Sequence, residues 1–143
     1  MTEADRAKIT ERPVLLYDGV CALCNGMVRF VLKHDAAGLF RFAALQSDVA
    51  RELLGMEFVA LDGVVLVVAA LTPEQRISRR SDAVVETLWL LDRRGLSRTL
   101  RWVPRIVREA GYEILARFRY RIFGRYEVCP LPPTEVRERF AGR

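Results

Sequence analysis

The period of apolar and polar positions changes several times along the chain. Residues 1–12 are polar and charged and predict a solvated arm. Pro13 then opens Val14-Leu15-Leu16-Tyr17, an unbroken apolar run closed by Asp18-Gly19, which predicts a buried strand ending in a turn. From Leu23 the period becomes helical. Leu23, Met27, Phe30 and Val31 fall on one face with Val28 beside them, and Lys33 and His34 place cations in the last turn. After the break at Gly38, residues 39–43 predict a second strand with Phe40 and Phe42 on one side. Ser47 or Asp48 can cap a short helix to Leu54, built on Val49, Ala50, Leu53 and Leu54. The valine-rich run 64–70 predicts a third, central strand, Thr72-Pro73-Glu74-Gln75 a turn, and residues 76–79 a polar strand at an edge. Asp62-Gly63 offers an alternative hairpin that would pair 58–61 with 64–67.

Ser81 then caps a helix over 82–91, with Val84, Leu88 and Leu91 inward and Val85 and Trp89 beside them. Residues 99–123 continue as a basic helical region, interrupted at Pro104 and stopped by Gly124. There Val107, Ala110, Ile114, Phe118 and Ile122 recur at helical spacing, which predicts that they pack inward and leave the arginines on a solvated face. Pro130, Pro132 and Pro133 mark an irregular stretch, and Thr134 caps a last short helix to Phe140. Strand–helix–strand units imply a parallel pair with a right-handed crossover, and a closing hairpin implies an antiparallel one. The expected fold is α/β and thioredoxin-like: a central mixed four-stranded sheet flanked by helices, with a basic helical extension at the C-terminus. The expected organisation is one domain over 1–143, with a core at 13–92 and the extension at 93–143.

Composition adds bounds. At 143 residues and 51% hydrophobic content the chain can bury a core without disulfides or a structural metal. The net charge of +5 is local: residues 1–92 carry 10 basic and 13 acidic side chains, residues 93–125 carry 10 and 2. Arginines interleaved with Trp102, Tyr112, Phe118 and Tyr120 have the composition of a nucleic-acid surface. The helical period of the apolar residues argues for packing instead, so nucleic acid is not an expected partner. A docking face for an acidic partner or a membrane surface stays open. Residues 1–12 hold no apolar core of a signal peptide, and the longest apolar run, 64–71, is too short to span a membrane. A cytoplasmic protein is expected.

The candidate chemistry lies in Cys21-Ala22-Leu23-Cys24. A Cys-x-x-Cys directly after a strand and opening a helix puts two sulfurs within one turn, at a helix end whose free N–H groups and dipole favour thiolate. Cys21 is the expected attacking thiolate and Cys24 the resolving thiol. Asp18 is either a turn acceptor or a carboxylate that exchanges a proton with the pair. A zinc site would need Cys129 and His34 to complete a ligand set, yet His34 lies about 20 Å along the helix from Cys21. Cys129 reads as a buried free thiol, with a third redox thiol as the alternative. No metal or organic cofactor is expected.

Asp18-Gly19-Val20-Cys21-Ala22-Leu23-Cys24-Asn25 resembles the signature of the DCC family of thiol-disulfide oxidoreductases. The stretches Phe40-Arg41-Phe42-Ala43-Ala44-Leu45-Gln46-Ser47, Arg80-Ser81-Asp82-Ala83 and Tyr120-Arg121-Ile122-Phe123-Gly124 followed by Cys129 are similar to it as well. The resemblance implies a thioredoxin-like fold and exchange with a protein or small-molecule disulfide or thiol. One departure stands out: thioredoxin-like folds place a cis-proline before the third strand, where this chain reads Leu61-Asp62-Gly63-Val64. By analogy with glutaredoxin-like proteins, Ser81, Asp82 and Arg79 or Arg80 could contact glutathione. The alternative reading is a redox-switched binding module that uses its basic helical face for a partner.

Overall fold

The computed structural model describes residues 1–55, 63–92, 94–127 and 132–142. Four strands form one sheet: β1 (Val14–Tyr17), β2 (Arg41–Ala44), β3 (Val64–Val68) and β4 (Arg76–Arg79), in spatial order β2-β1-β3-β4. β1 runs parallel to β2 across the helix α2 (Ala22–His34), and antiparallel to β3, which is antiparallel to β4. This is the expected mixed sheet of a thioredoxin-like fold. β1 is buried at all four positions because it is an interior strand with both faces covered.

Alternation along β1 and β3 sorts the core into two layers. Val14, Leu16, Val65 and Val67 pack under Ile9 and under α3 (Asp48–Leu54) through Val49, Ala50, Leu53 and Leu54. Leu15, Tyr17, Val64 and Leu66 pack against Val28 and Val31 of α2 and Ala83 of α4 (Arg80–Leu90). Both cysteines belong to this second layer. The second strand begins two residues later than expected. The amides of Leu39 and Phe40 donate to the Asp35 carboxylate at 3.0 and 2.9 Å instead of entering the ladder.

Several expectations are corrected. Residues 1–12 are not a free arm: they contain α1 (Glu3–Ile9), capped by Thr2, whose hydroxyl accepts from the Asp5 amide at 3.1 Å. One apolar anchor, Ile9, seats this helix in the core, and the Gly142 amide donates to Asp5 at 3.1 Å. A single buried apolar side chain in a polar segment is too weak a pattern to show as amphipathic. Ser81 is not the cap of α4. The helix starts at Arg80 with no side-chain cap, and the Ser81 hydroxyl donates to Glu109. Thr134 likewise caps nothing; it opens a 3-10 turn, Thr134–Arg139. The alternative hairpin over 58–61 lies outside the described residues.

The largest correction concerns the basic region. It forms α5 (Arg94–Trp102) and α6 (Arg105–Ile122), broken at Pro104 as expected. Buried Ser97 ties α5 to α4 by donating to the Val85 carbonyl at 3.0 Å. The apolar stripe of α6 does not face inward: Val107, Ile114, Phe118 and Ile122 are exposed, and Arg119 is buried. Polar anchors set this orientation. Asp82 pairs with Arg105 and Arg108, both at 3.2 Å, Ser81 holds Glu109, and Arg119 reaches Asp18.

Candidate active site

The turn after β1 is tied down by its own polar groups. The Asp18 carbonyl accepts from the Cys21 amide at 3.2 Å, and its carboxylate accepts from the Val20 amide at 3.1 Å. Gln46 closes the far side. Its side-chain amide donates to the same carboxylate oxygen at 3.0 Å, and its carbonyl accepts from the Gly19 amide at 3.4 Å. Asn25 reaches back from α2 to the carbonyls of Gly19 and Cys21, both at 2.9 Å.

Cys21 occupies the N-cap of α2. Its sulfur accepts the amide of Cys24 at 3.3 Å, one of the helix-end donors that would otherwise be unpaired. A donor of this kind favours a negatively charged sulfur. Cys24 lies one turn further, and burial first, then its hydrogen bond and proximity to Cys21, push its thiol up to about 12. The Arg119 guanidinium and hydrogen bonding to the Asp18 backbone act against that rise. Both cysteines are free thiols.

Two α6 residues complete the site from 101 and 102 positions away in sequence. The second oxygen of the Asp18 carboxylate accepts from the Arg119 guanidinium at 3.4 Å and from the Tyr120 hydroxyl. Arg119 also donates to the Tyr120 hydroxyl at 3.1 Å. Burial, followed by the bond to Asp18, raises the Tyr120 phenol above its usual range. For Arg119, burial acts to lower the guanidinium, but Tyr120 and the two cysteines outweigh it and hold the cation in place. Asp18 and Arg119 are both more than nine-tenths buried, so each charge depends on the other.

The two sulfurs differ in access. Cys21 has no exposed surface. A short strap after α6 covers it: Cys21 bridges Arg125, the Ala22 amide donates to Gly124 at 3.4 Å, and the Tyr126 amide donates to Val20 at 2.8 Å. Cys24 lines a cleft of about 670 Å³ between α2 and α6. Leu23, Met27 and Phe30, on one face of α2, form one wall of this cleft, and Leu115, Phe123 and Arg119 form the other. The volume lies within the ~300–1,000 Å³ of small-ligand sites.

At the foot of the cleft α6 meets β3. The Val64 amide donates to the Tyr112 hydroxyl at 3.1 Å. Gly63, where the proline was missing, has φ +87°, and a Cβ there would fall 2.2 Å from that hydroxyl oxygen. Gly63→Ala is therefore expected to cost about 2–4 kcal/mol by combining a strained backbone with a steric clash. Urea denaturation measures the loss, and adding Tyr112→Phe should restore the part due to the clash.

Of the expected site residues, Asp18, Cys21 and Cys24 come together. Ser81, Asp82 and Arg80 lie at the start of α4 and turn to α6. Ser81 holds Glu109, Asp82 holds Arg105 and Arg108, and Arg80 lies 3.7 Å from Glu109 and over the Tyr112 ring. His34 ends α2, where its ring bonds the Phe30 carbonyl at 2.8 Å. Cys129, and with it the zinc alternative, lies outside the described residues. Arg119, Tyr112, Gln46 and Asn25 were not singled out from sequence. Gln46 and Tyr120 do lie in stretches that resemble the family, and both meet Asp18.

The Cys24 thiol gives a pH prediction. In the unfolded chain it ionises near its ordinary value of 9.0, whereas the fold holds its proton to about 12. Stability conferred by this group is complete below pH 9.0 and is lost as pH rises toward 12. Alkylation of Cys24 by iodoacetamide, followed by peptide mass spectrometry, should be slow at pH 7 and keep rising about tenfold per pH unit to pH 10, without the plateau that a thiol ionising near 9.0 approaches there.

Comparison with known proteins agrees with this geometry. The description "DCC1-like thiol-disulfide oxidoreductase" matches residues 15–125, which include Asp18, both cysteines, Arg119 and Tyr120. A chloroplastic DCC family protein of Arabidopsis thaliana is 40% identical over 123 residues, covering 85% of this chain and 70% of its own. The uncharacterized protein YuxK of Bacillus subtilis is 35% identical over 133 residues, covering 89% of this chain and 92% of its own. No solved structure gives a significant match. Among the described residues no helix is long and apolar enough to cross a membrane. With its dithiol at a helix start and its match over most of its length, the chain belongs to the DCC1-like thiol-disulfide oxidoreductase family.

Proposed function

We propose that this protein is a disulfide reductase working through the Cys21–Cys24 pair, with Cys21 attacking and Cys24 resolving. The observation that carries this order is the Cys24 amide on the Cys21 sulfur at the N-cap of α2, and burial, which pushes the Cys24 thiol up, supports it. Access alone would favour Cys24, which faces the cleft. A thiol that burial keeps protonated is a poor first nucleophile, and the helix-end amide on the Cys21 sulfur supports Cys21 as the attacker. The strap over Cys21 rests on two backbone hydrogen bonds, one of them 3.4 Å long, next to Gly124 at φ +86°. Lifting it exposes the Cys21 sulfur to substrate.

In the first step the Cys21 thiolate attacks one sulfur of the substrate disulfide. A mixed disulfide forms and one substrate thiolate leaves. That thiolate takes the Cys24 proton, and the new Cys24 thiolate attacks the Cys21 sulfur. The Cys21–Cys24 disulfide forms and the second substrate thiolate is released. Two electrons pass from the dithiol to the substrate. Asp18 acts as a positioning residue. It fixes the turn before Cys21 and holds Arg119, whose charge eases ionisation of Cys24 when its turn comes.

Substrates are protein or small-molecule disulfides that fit an apolar cleft. Glutathione disulfide belongs to that class, although Ser81, Asp82 and Arg80 would have to exchange their α6 partners to bind its charged ends. The reading places the protein in a reducing compartment such as the cytoplasm, where the glutathione pool favours reduction. The test is repeated turnover of a disulfide substrate with dithiothreitol as electron source. Many equivalents reduced per protein support a catalyst. One oxidation per protein, with a change in affinity for a partner, supports instead a redox-switched binding module, the second reading that the exposed apolar face of α6, edged by Arg117 and Arg121, favours.

A further inference from the structure

The outward face of α6 is built as though it were not meant to meet water. Trp102 and Ile106 are 84% and 85% exposed on either side of Pro104, where α5 turns into α6. Val107, Ile114, Phe118 and Ile122 are exposed as well. At 100° per residue these four fall within about 80° of one another, a stripe running about 22 Å from Val107 to Ile122. Arg117 and Arg121 follow its edge, and Arg98 is exposed on α5 one turn before Trp102. The polar side of α6 is spent inward on Asp18, Asp82, Ser81 and Val64, so the helix cannot roll its apolar side under without breaking those contacts.

We propose that the α5–α6 face is a peripheral membrane-binding surface whose partner is an anionic phospholipid bilayer. Trp102 and Ile106 enter the boundary between headgroups and acyl chains, while Arg98, Arg117 and Arg121 meet lipid phosphates. Charge decides the occupant. Of the 10 basic side chains of segment 93–125, Arg105, Arg108 and Arg119 pair with Asp82 and Asp18, while Arg98, Arg117 and Arg121 stay exposed beside the stripe. A second copy would bring the same positive field against it, whereas an anionic bilayer offers opposite charge and hydrocarbon in one surface. An apolar corner that protrudes also suits a deformable bilayer. Leu115 and Phe123 of the cleft are partly exposed on this same helix and just after it, so docking brings the mouth of the dithiol cleft to the lipid surface. Binding does not depend on the redox reading and is measured without turnover.

The test is co-sedimentation of the full chain with phosphatidylcholine vesicles, with and without about 30% phosphatidylglycerol. At least ~tenfold more protein is expected on the anionic vesicles, and Arg117→Gln and Arg121→Gln should each lower partitioning about fivefold. Trp102→Ser combined with Ile106→Asp should reduce it by at least ~tenfold with an unchanged thermal melt. In the unmodified protein, lipids brominated on the acyl chains should quench tryptophan emission. Absence of binding to anionic vesicles, equal binding to neutral ones, absence of quenching, or a dimer in light scattering that Ile106→Asp dissolves would each overturn the proposal.

Discussion

Cys21→Ser is expected to lower dithiothreitol-driven disulfide reduction by about 10³-fold or more, because it removes the atom that forms the mixed disulfide. Cys24→Ser should behave differently. Attack by Cys21 remains, resolution fails, and the protein accumulates as a covalent adduct with its substrate. The difference between the two variants is the informative result. If both merely slowed turnover to the same degree, attack and resolution would not be divided between them. If Cys24→Ser were the inactive variant and Cys21→Ser the trapped one, access would have outweighed acid–base chemistry and the roles would be reversed. Mass spectrometry of the quenched reaction distinguishes these outcomes.

The second large effect falls on the buried Asp18–Arg119 pair. Arg119→Met is expected to destabilise the protein by about 3–5 kcal/mol, since it leaves the Asp18 carboxylate buried without its cation. Tyr120 and Gln46 remain as donors, which favours the lower half of that range. Adding Asp18→Asn should recover much of the loss, because the double variant has no orphaned charge. Denaturant melts of the four proteins give the coupling. A kinetic consequence separates this from a purely structural role. Arg119 opposes the upward shift of the Cys24 thiol, so removing it should slow resolution by roughly tenfold and raise the steady level of mixed disulfide.

The parts that sequence made legible share a property: their signal is local. β1 is four apolar residues ending at Asp18-Gly19, and Cys-x-x-Cys at the next helix start fixes the relation of the two sulfurs. Asp18 was legible as a turn acceptor for the same reason, and its carboxylate accepts from the Val20 amide two residues on. What sequence could not show was long-range pairing. Arg119 sits in a run of arginines and differs from Arg117 and Arg121 only in its helical phase, which turns it onto Asp18. The phase was misjudged because apolar spacing was taken to mark the inner face. In α6 the inner face is polar, anchored by Ser81, Asp82, Asp18 and the Val64 amide. A helix whose buried side is held by ion pairs and hydrogen bonds gives an inverted hydrophobic pattern. α1 was missed for a simpler reason, one core residue in seven positions. The missing cis-proline was legible as an absence. Its replacement, Gly63 fitted under Tyr112, depends on a contact between residues 49 positions apart.

The account rests on a reversible two-electron couple between Cys21 and Cys24, and a redox titration tests it most directly. The protein is equilibrated across glutathione or dithiothreitol buffers, acid-quenched, alkylated and mapped by mass spectrometry. The predicted result is a single transition in which a Cys21–Cys24 disulfide appears with a slope of two electrons, at a midpoint above about −220 mV, less negative than the cytosolic glutathione pool, so that the pool can keep the pair reduced. Failure of that disulfide to form at any poise, with the two cysteines oxidising independently, would contradict it.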